Sequence, residues 1–268
     1  MRKYLLNNLK FDDFGIRLIS AFVLLFIAIF CLYMGSFFYI LLVLFLSIFL
    51  FYELCKLLNP KISNGMLLLQ LIAVLLTLLL YLRVGSNGGS FLSLIPASIL
   101  VITCDSNRLL SFFTGVLLTI SLMAFFEIKF DLGMITLLWL ITCVIITDLA
   151  GYFVGRVLGG PKIWTYVSPN KTWSGLIGGW IFAVLIGLIF KISFDLSYLF
   201  VVLSLIISIS SQVGDFYESW LKRRVDTKDS SRLIPGHGGF MDRFDGFIGG
   251  ALGFKVCLLF INPELVLV

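Results

Sequence analysis

Residues 219–245, SWLKRRVDTKDSSRLIPGHGGFMDRFD, form the one long polar block in the C-terminal part of a chain that is otherwise almost uniformly apolar. The block carries six basic and four acidic side chains, the sole histidine, His237, and a PGHGG turn, and it lies between two hydrophobic runs. Such a block reads as chemistry held at a membrane surface, and the rest of the sequence is best understood from it.

With 268 residues, 60% hydrophobic and only 13% charged, and a mean hydropathy of +1.07, the composition excludes a water-soluble globular domain and places the chain among polytopic membrane proteins. Crossing about 30 Å of hydrocarbon as helix needs roughly 17–25 apolar residues. Runs of that length recur, and no period-2 pattern points to a barrel, so helices are the expected spanning element. The fold expected is all-α: a polytopic membrane protein of about nine transmembrane helices, near residues 16–34, 37–55, 66–83, 91–103, 109–127, 134–155, 175–193, 197–221 and 245–264. The first is read as an uncleaved span, because no small-residue cleavage site follows it.

Lys and Arg distribution tests this layout. With the N-terminus cytoplasmic, Arg2, Lys3, Lys10, Arg17, Lys56, Lys61, Arg108, Arg156, Lys162, Lys171, Lys222, Arg223, Arg224, Lys228, Arg232 and Arg243 fall on one side, while the other holds only Arg83, Lys129 and Lys191. Lys255 lies within the last span. The short segment 91–103, which contains Pro96, is kept as a half-buried or thin span, since deleting it would put the basic N-terminus and the basic 156–174 loop on opposite sides. The net charge of +5 therefore reflects orientation and calls for no nucleic-acid partner. Five isolated cysteines, Cys31, Cys55, Cys104, Cys143 and Cys257, lack metal-site spacing and read as packing residues. The whole reads as one domain, 1–268, with scaffold helices over 1–130 and a catalytic half over 131–268.

Acids within spans cost about 2.5–3.5 kcal/mol each on insertion scales and so need a reason. Asp148, Asp215 and Glu218 are such acids. Ser208, Ser211, Asp215, Glu218, Ser219 and Lys222 recur at helical steps and make one polar stripe. Asp148, Gly151, Tyr152 and Gly155 make a second, with glycines that admit a close neighbour. In the following loop, Ser168-Pro169 reads as a helix start, leaving N–H groups near Lys171 that suit a phosphate. Gly236, Gly238 and Gly239 around His237 free the backbone to turn N–H groups toward an anion, aided by Lys222, Arg223, Lys228 and Arg232. Asp242 and Asp245 open the last helix on one face. Carboxylates inside a phosphate-binding basic cluster make sense with a divalent cation between them, and magnesium prefers one or two carboxylates plus substrate oxygens and water.

The run Ser219-x-Leu221-Lys222-Arg223-x4-Lys228-Asp229-x3-Leu233-x-Pro235-x-His237-Gly238-Gly239-x2-Asp242-Arg243-x-Asp245 resembles the signature of phosphatidate cytidylyltransferases, and Asp148-x3-Tyr152-x2-Gly155-Arg156 and Ser168-Pro169-Asn170-Lys171-Thr172 resemble that family's upstream motifs. The likeness covers about residues 148–250 at motif level. One position departs: the family usually has an acid before the glycine that follows the SPxKT motif, and here Ser174 precedes Gly175. The resemblance implies an integral membrane enzyme of phospholipid biosynthesis that joins CTP to phosphatidic acid, giving CDP-diacylglycerol and pyrophosphate. It implies a homodimer and Mg2+ at paired aspartates, Asp215 and Asp242, with Asp245 and Asp148 as support and a second cation as an option. Lys222, Arg223 and His237 are the further catalytic candidates. Lys171, Ser168, Lys228, Asp229, Arg232, Gly238, Gly239, Arg243, Ser219 and Tyr152 are the candidates for substrate binding. The expected setting is the inner (plasma) membrane, with the site facing the cytoplasm. An isoprenoid-type acceptor, or an ion-coupled transporter, are the competing readings.

Overall fold

A computed structural model describes residues 19–20, 22–86, 89–104, 107–231, 233–234 and 238–261. Nine α-helices lie among the described residues: α1 (Phe22–Tyr33), then α2 (Ser36–Leu58), α3 (Asn64–Val84), α4 (Leu94–Thr103), α5 (Arg108–Phe130), α6 (Gly133–Leu158), α7 (Trp173–Phe194), α8 (Leu199–Arg224) and α9 (Met241–Leu258). Six of them, α2, α3 and α5–α8, are long and apolar enough to cross a membrane. The chain is a multi-pass membrane protein. The expectation of about nine spans is thus met for six: α4 is short, α9 carries Asp242, Arg243, Asp245 and Lys255, and only part of the first run lies among the described residues.

Contacts between helix ends fix the layout. Asn59, just past α2, donates its side-chain N–H to the carbonyl of Thr103 at the end of α4 (2.7 Å), and Arg224 at the end of α8 donates to Asn107 ahead of α5 (3.2 Å). Tyr81 near the end of α3 donates to Glu127 near the end of α5 (3.4 Å). These contacts define two poles. Lys56, Lys61, Arg108, Arg156, Lys171 and Lys222 belong to one, and Arg83 and Lys129 to the other. The short stretch that the charge pattern retained does connect them: a 3-10 turn, Gly89–Ser93, runs into α4, which together extend about 25 Å. At the far pole, Lys255 of α9 is ion-paired with Glu127 of α5, both buried, which explains how a charge is tolerated within the last apolar run.

The core sits between α5, α6, α8 and α9. Trp139, Phe200 and Phe254 meet edge-on, with centroids 4.5 and 5.6 Å apart, and the Trp139 indole N–H donates to Ser204 (2.9 Å). Thr147 donates to Ser208 (2.8 Å). The serine stripe of α8 therefore faces protein, as its periodicity required.

The all-α class holds, and two details depart from the reading of the segment after α6. First, that segment is not an irregular loop throughout. Gly159 and Gly160 take φ of +61° and +107°, ending α6 and opening a hairpin of β1 (Lys162–Trp164) and antiparallel β2 (Ser168–Thr172). Second, Ser168-Pro169 does not start a helix. It lies in β2, and α7 begins at Trp173, where Thr172 Oγ1 accepts from the Gly175 N–H (3.2 Å). A hydroxyl placed three residues before a free N–H caps better than one seven residues away.

The second glycine-bearing stripe does admit a neighbour. A Cβ added to Gly175 of α7 would lie 2.6 Å from the Gly151 carbonyl oxygen and 3.3 Å from Gly155 Cα. Gly175→Ala should therefore lower stability by about 1–3 kcal/mol, because backbone cannot yield as a side chain can. Thermal unfolding in detergent reads this, and an unchanged melting temperature would show that the α6–α7 seam opens freely.

Candidate active site

The polar side chains gather at the pole where α2, α6 and α8 end and α7 and α9 begin. The first cluster joins four elements. Lys171 of β2 is ion-paired with Asp215 of α8, and its ammonium also lies 4.5 Å from the Phe216 ring centre. Ser219, one turn on, donates to Asp215 Oδ1 (3.4 Å). Asp148 of α6 and Asp245 of α9 share the field of Asp215 and Lys171. Burial, and then the nearby Asp215, push the Asp245 carboxyl up to about 8, so this acid holds its proton near neutral pH and a cation placed among the three acids would favour its ionised form.

The second cluster is a chain of ion pairs and hydrogen bonds. Lys222 of α8 lies between Glu218 (2.5 Å) and Asp242 of α9 (2.6 Å). Asp242 also accepts from the N–H of Gly239 (2.7 Å) and of Ser230 (3.1 Å). Outside the six spanning helices, burial would raise the Asp242 pKa, but Lys222 and the two N–H groups outweigh it and hold the carboxyl below its ordinary range. Asp242 is accordingly a carboxylate at neutral pH.

Ser230 links this cluster to α2. Its hydroxyl lies 3.1 Å from Asp242 Oδ2 and 3.0 Å from Glu53 Oε2, and with one proton it serves one acceptor at a time. Glu53 is fully buried. It also accepts from Ser231 Oγ (2.5 Å), Phe240 N (2.9 Å) and Met241 N (2.7 Å). A carboxylate of α2 therefore satisfies the free N–H groups that open α9, where negative charge is favoured.

The sequence profile of the cytidylyltransferase family matches residues 15–261. The chain belongs to the cytidylyltransferase family. It is 47% identical over 135 residues to the phosphatidate cytidylyltransferase of Brucella suis, a match covering 49% of this chain and 50% of that one. It is 45% identical over 111 residues to that of Bacillus subtilis (40% and 41%), and 40% identical over 132 residues to that of Staphylococcus haemolyticus (48% and 50%). The chain spans about half the length of the curated relatives it matches.

In this family member the residues singled out in sequence are brought together unevenly. Asp148, Asp215, Asp245 and Lys171 form one group; Asp242, Lys222 and Gly239 form another. Asp215 and Asp242, expected to share a cation, are each engaged by a different lysine. The N–H of Gly239 is turned to Asp242 itself. Gly238 does take a positive φ, +83°, and its carbonyl accepts from Ile234 N (2.8 Å). Arg223 donates to the Thr227 carbonyl (2.9 Å). Lys228, Asp229 and Arg243 are exposed around this loop. Tyr152 is exposed and bonded to Arg156 (2.7 Å), and Ser168 pairs across the hairpin with Trp164. His237, Arg232 and Gly236 lie outside the described residues. At the departing position, Ser174 donates to the Gly159 carbonyl and ties the start of α7 to the end of α6.

Sequence reading missed Glu53, Ser230 and Ser231. For Glu53 the signal was present: an acid inside an apolar run poses the same question as Asp148. The serines had no signal beyond membership of the polar block.

Among the described residues no three or more His, Cys, Asp or Glu side chains are gathered closely enough to hold a metal by themselves. The donors present, Asp148, Asp215, Asp242 and Asp245, are nevertheless hard oxygens from helices that meet at one pole. They fit magnesium, which takes one or two carboxylates and completes its shell with phosphate and water.

Proposed function

We propose that the protein is a phosphatidate cytidylyltransferase. It transfers CMP from CTP to phosphatidic acid, giving CDP-diacylglycerol and pyrophosphate, at a site on the cytoplasmic side of the plasma membrane. A homodimer and Mg2+ belong to this reading. The observation that carries it is the placement of carboxylates and lysines from α6, α8, α9 and the β1–β2 hairpin at one end of a membrane bundle. One substrate there is a two-chain lipid whose phosphate lies at headgroup level. The other is a soluble triphosphate, and only such an end can receive both.

In the reaction an oxygen of the lipid phosphate attacks the α-phosphorus of CTP. The bond to the β-phosphate oxygen breaks in line, and pyrophosphate leaves. No covalent enzyme intermediate is required, so positioning and charge stabilisation make up the catalysis. Lys171 and Lys222, each held by carboxylates on α8, supply fixed positive charge against phosphate oxygens. Magnesium, when bound by the aspartates, would neutralise charge between the two phosphorylated substrates.

Purified protein with Mg2+, labelled CTP and a panel of lipid phosphates tests this. CDP-lipid and pyrophosphate should form in equal amounts with phosphatidic acid. Turnover restricted to a polyprenyl phosphate acceptor, or none with any lipid, would overturn the assignment.

A further inference from the structure

A cavity of about 430 Å³ runs along the seam of α8 and α9 under α5, within the about 300–1,000 Å³ of small-ligand sites. Its floor lacks side chains because the two helices touch through glycine: a Cβ on Gly214 would lie 2.6 Å from the Asp245 carbonyl and 2.8 Å from Gly249 Cα. Helices pressed backbone to backbone leave an unfilled valley above them. Leu117 of α5 and Leu252 of α9 wall that valley, and the outer edge, Ile209, Val213 and Val256, is 38–60% exposed.

The two ends of the cavity differ. One end holds Glu218 and Asp245. Glu218 is 3% exposed, and although its Oε2 is paired with Lys222, its Oε1 has no hydrogen-bond partner among the described residues. The other end holds Val256 and Cys257. From Asp245 to Val256 the helix advances roughly 16 Å, the depth of one leaflet of a hydrocarbon core about 30 Å thick.

We propose that this groove takes one acyl chain of the lipid substrate, entering sideways past Ile209 and Val213 with its polar end at the carboxylate–lysine cluster. The proposal rests on the function given above. An aliphatic occupant follows from the lining, a lipid tail from the one-leaflet length and the lateral opening, and the substrate lipid from the polar end that adjoins the reaction site. Since hydrocarbon already surrounds the tail in the bilayer, no hydrophobic gain attends its transfer. What the groove contributes is position: a held tail fixes the phosphate for in-line attack.

Val213→Trp and Leu117→Trp, which fill the groove from opposite walls, should each lower kcat/KM for dioleoyl phosphatidic acid about tenfold or more through lost orientation. Turnover of the dihexanoyl lipid and KM for CTP should stay as in the unaltered protein. Independently of activity, a phosphatidic acid with a diazirine in mid-chain should cross-link to α5, α8 and α9, and excess dioleoyl phosphatidic acid should compete. Full long-chain turnover by both variants would overturn the proposal. So would cross-links spread over other lipid-facing residues such as Leu76 and Ile181, or cysteine cross-links at Val213 between two copies of the chain, which would make the groove a subunit interface. Absence of any CDP-lipid product from unaltered protein would instead remove the functional reading, with the cross-linking still reporting on the groove.

Discussion

Asp215→Asn and Asp242→Asn should each abolish cytidylyl transfer, but with different consequences for stability. If these carboxylates hold magnesium against the triphosphate, removing one charge should lower kcat by at least the roughly 10²–10³-fold seen when a group stabilising developing charge is lost. It should exceed the about 10–100-fold cost of an outer supporting group. The Asp215 side chain is 26% exposed and its partner Lys171 29%, so water can solvate the released ammonium and the melting temperature should change little. Asp242 is 9% exposed and Lys222 10%. Losing this charge leaves Lys222 with Glu218 alone and weakens the bonds from Gly239 and Ser230, so Asp242→Asn should also unfold at lower temperature. Turnover measured against Mg2+ concentration, beside thermal unfolding, separates the two. Normal kcat in both variants would remove these aspartates from the proposed metal site.

Glu53→Ala should be the most damaging change outside those aspartates. Phe240 and Met241 are buried, 7% and 5% exposed, and their N–H groups bond only to the Glu53 carboxylate among the contacts of this helix start. Orphaning each buried donor costs about 1–3 kcal/mol, before the bonds from Ser230 and Ser231 are considered. Glu53→Gln should rescue little. Its amide nitrogen would set a donor against N–H and O–H donors that need an acceptor on both oxygens. The first turn of α9, which these bonds hold, carries Asp242, so kcat should fall with stability. A lower melting temperature and faster tryptic cleavage at Lys228 in both variants would bear this out. Wild-type protease resistance in Glu53→Ala would show that the loop is fixed by other means.

Much of this was legible in the linear sequence. Hydropathy gave six spanning helices to within a few residues of their ends, because the length of an apolar run is itself what a bilayer demands. The uneven distribution of Lys and Arg retained the weak segment around Pro96, and α4 with its 3-10 turn does connect the poles. Asp148, Asp215 and Glu218 stood out as acids within apolar runs. By contrast, the hairpin after Gly159-Gly160 was read as a loop and helix start, since a strand of three residues has no periodicity to detect.

What the sequence by itself determined is which residues cannot face lipid and at which pole each lies, because transfer from water to hydrocarbon is a property of each segment alone. Only the tertiary structure decided which charge answers which: Lys171 to Asp215, Lys222 to Glu218 and Asp242, and Glu53 to backbone 187 and 188 residues away. Coulomb and hydrogen-bond energies depend on separations of a few ångströms, and those are set by which helices pack, down to the glycine contact of α8 with α9 that opens the groove.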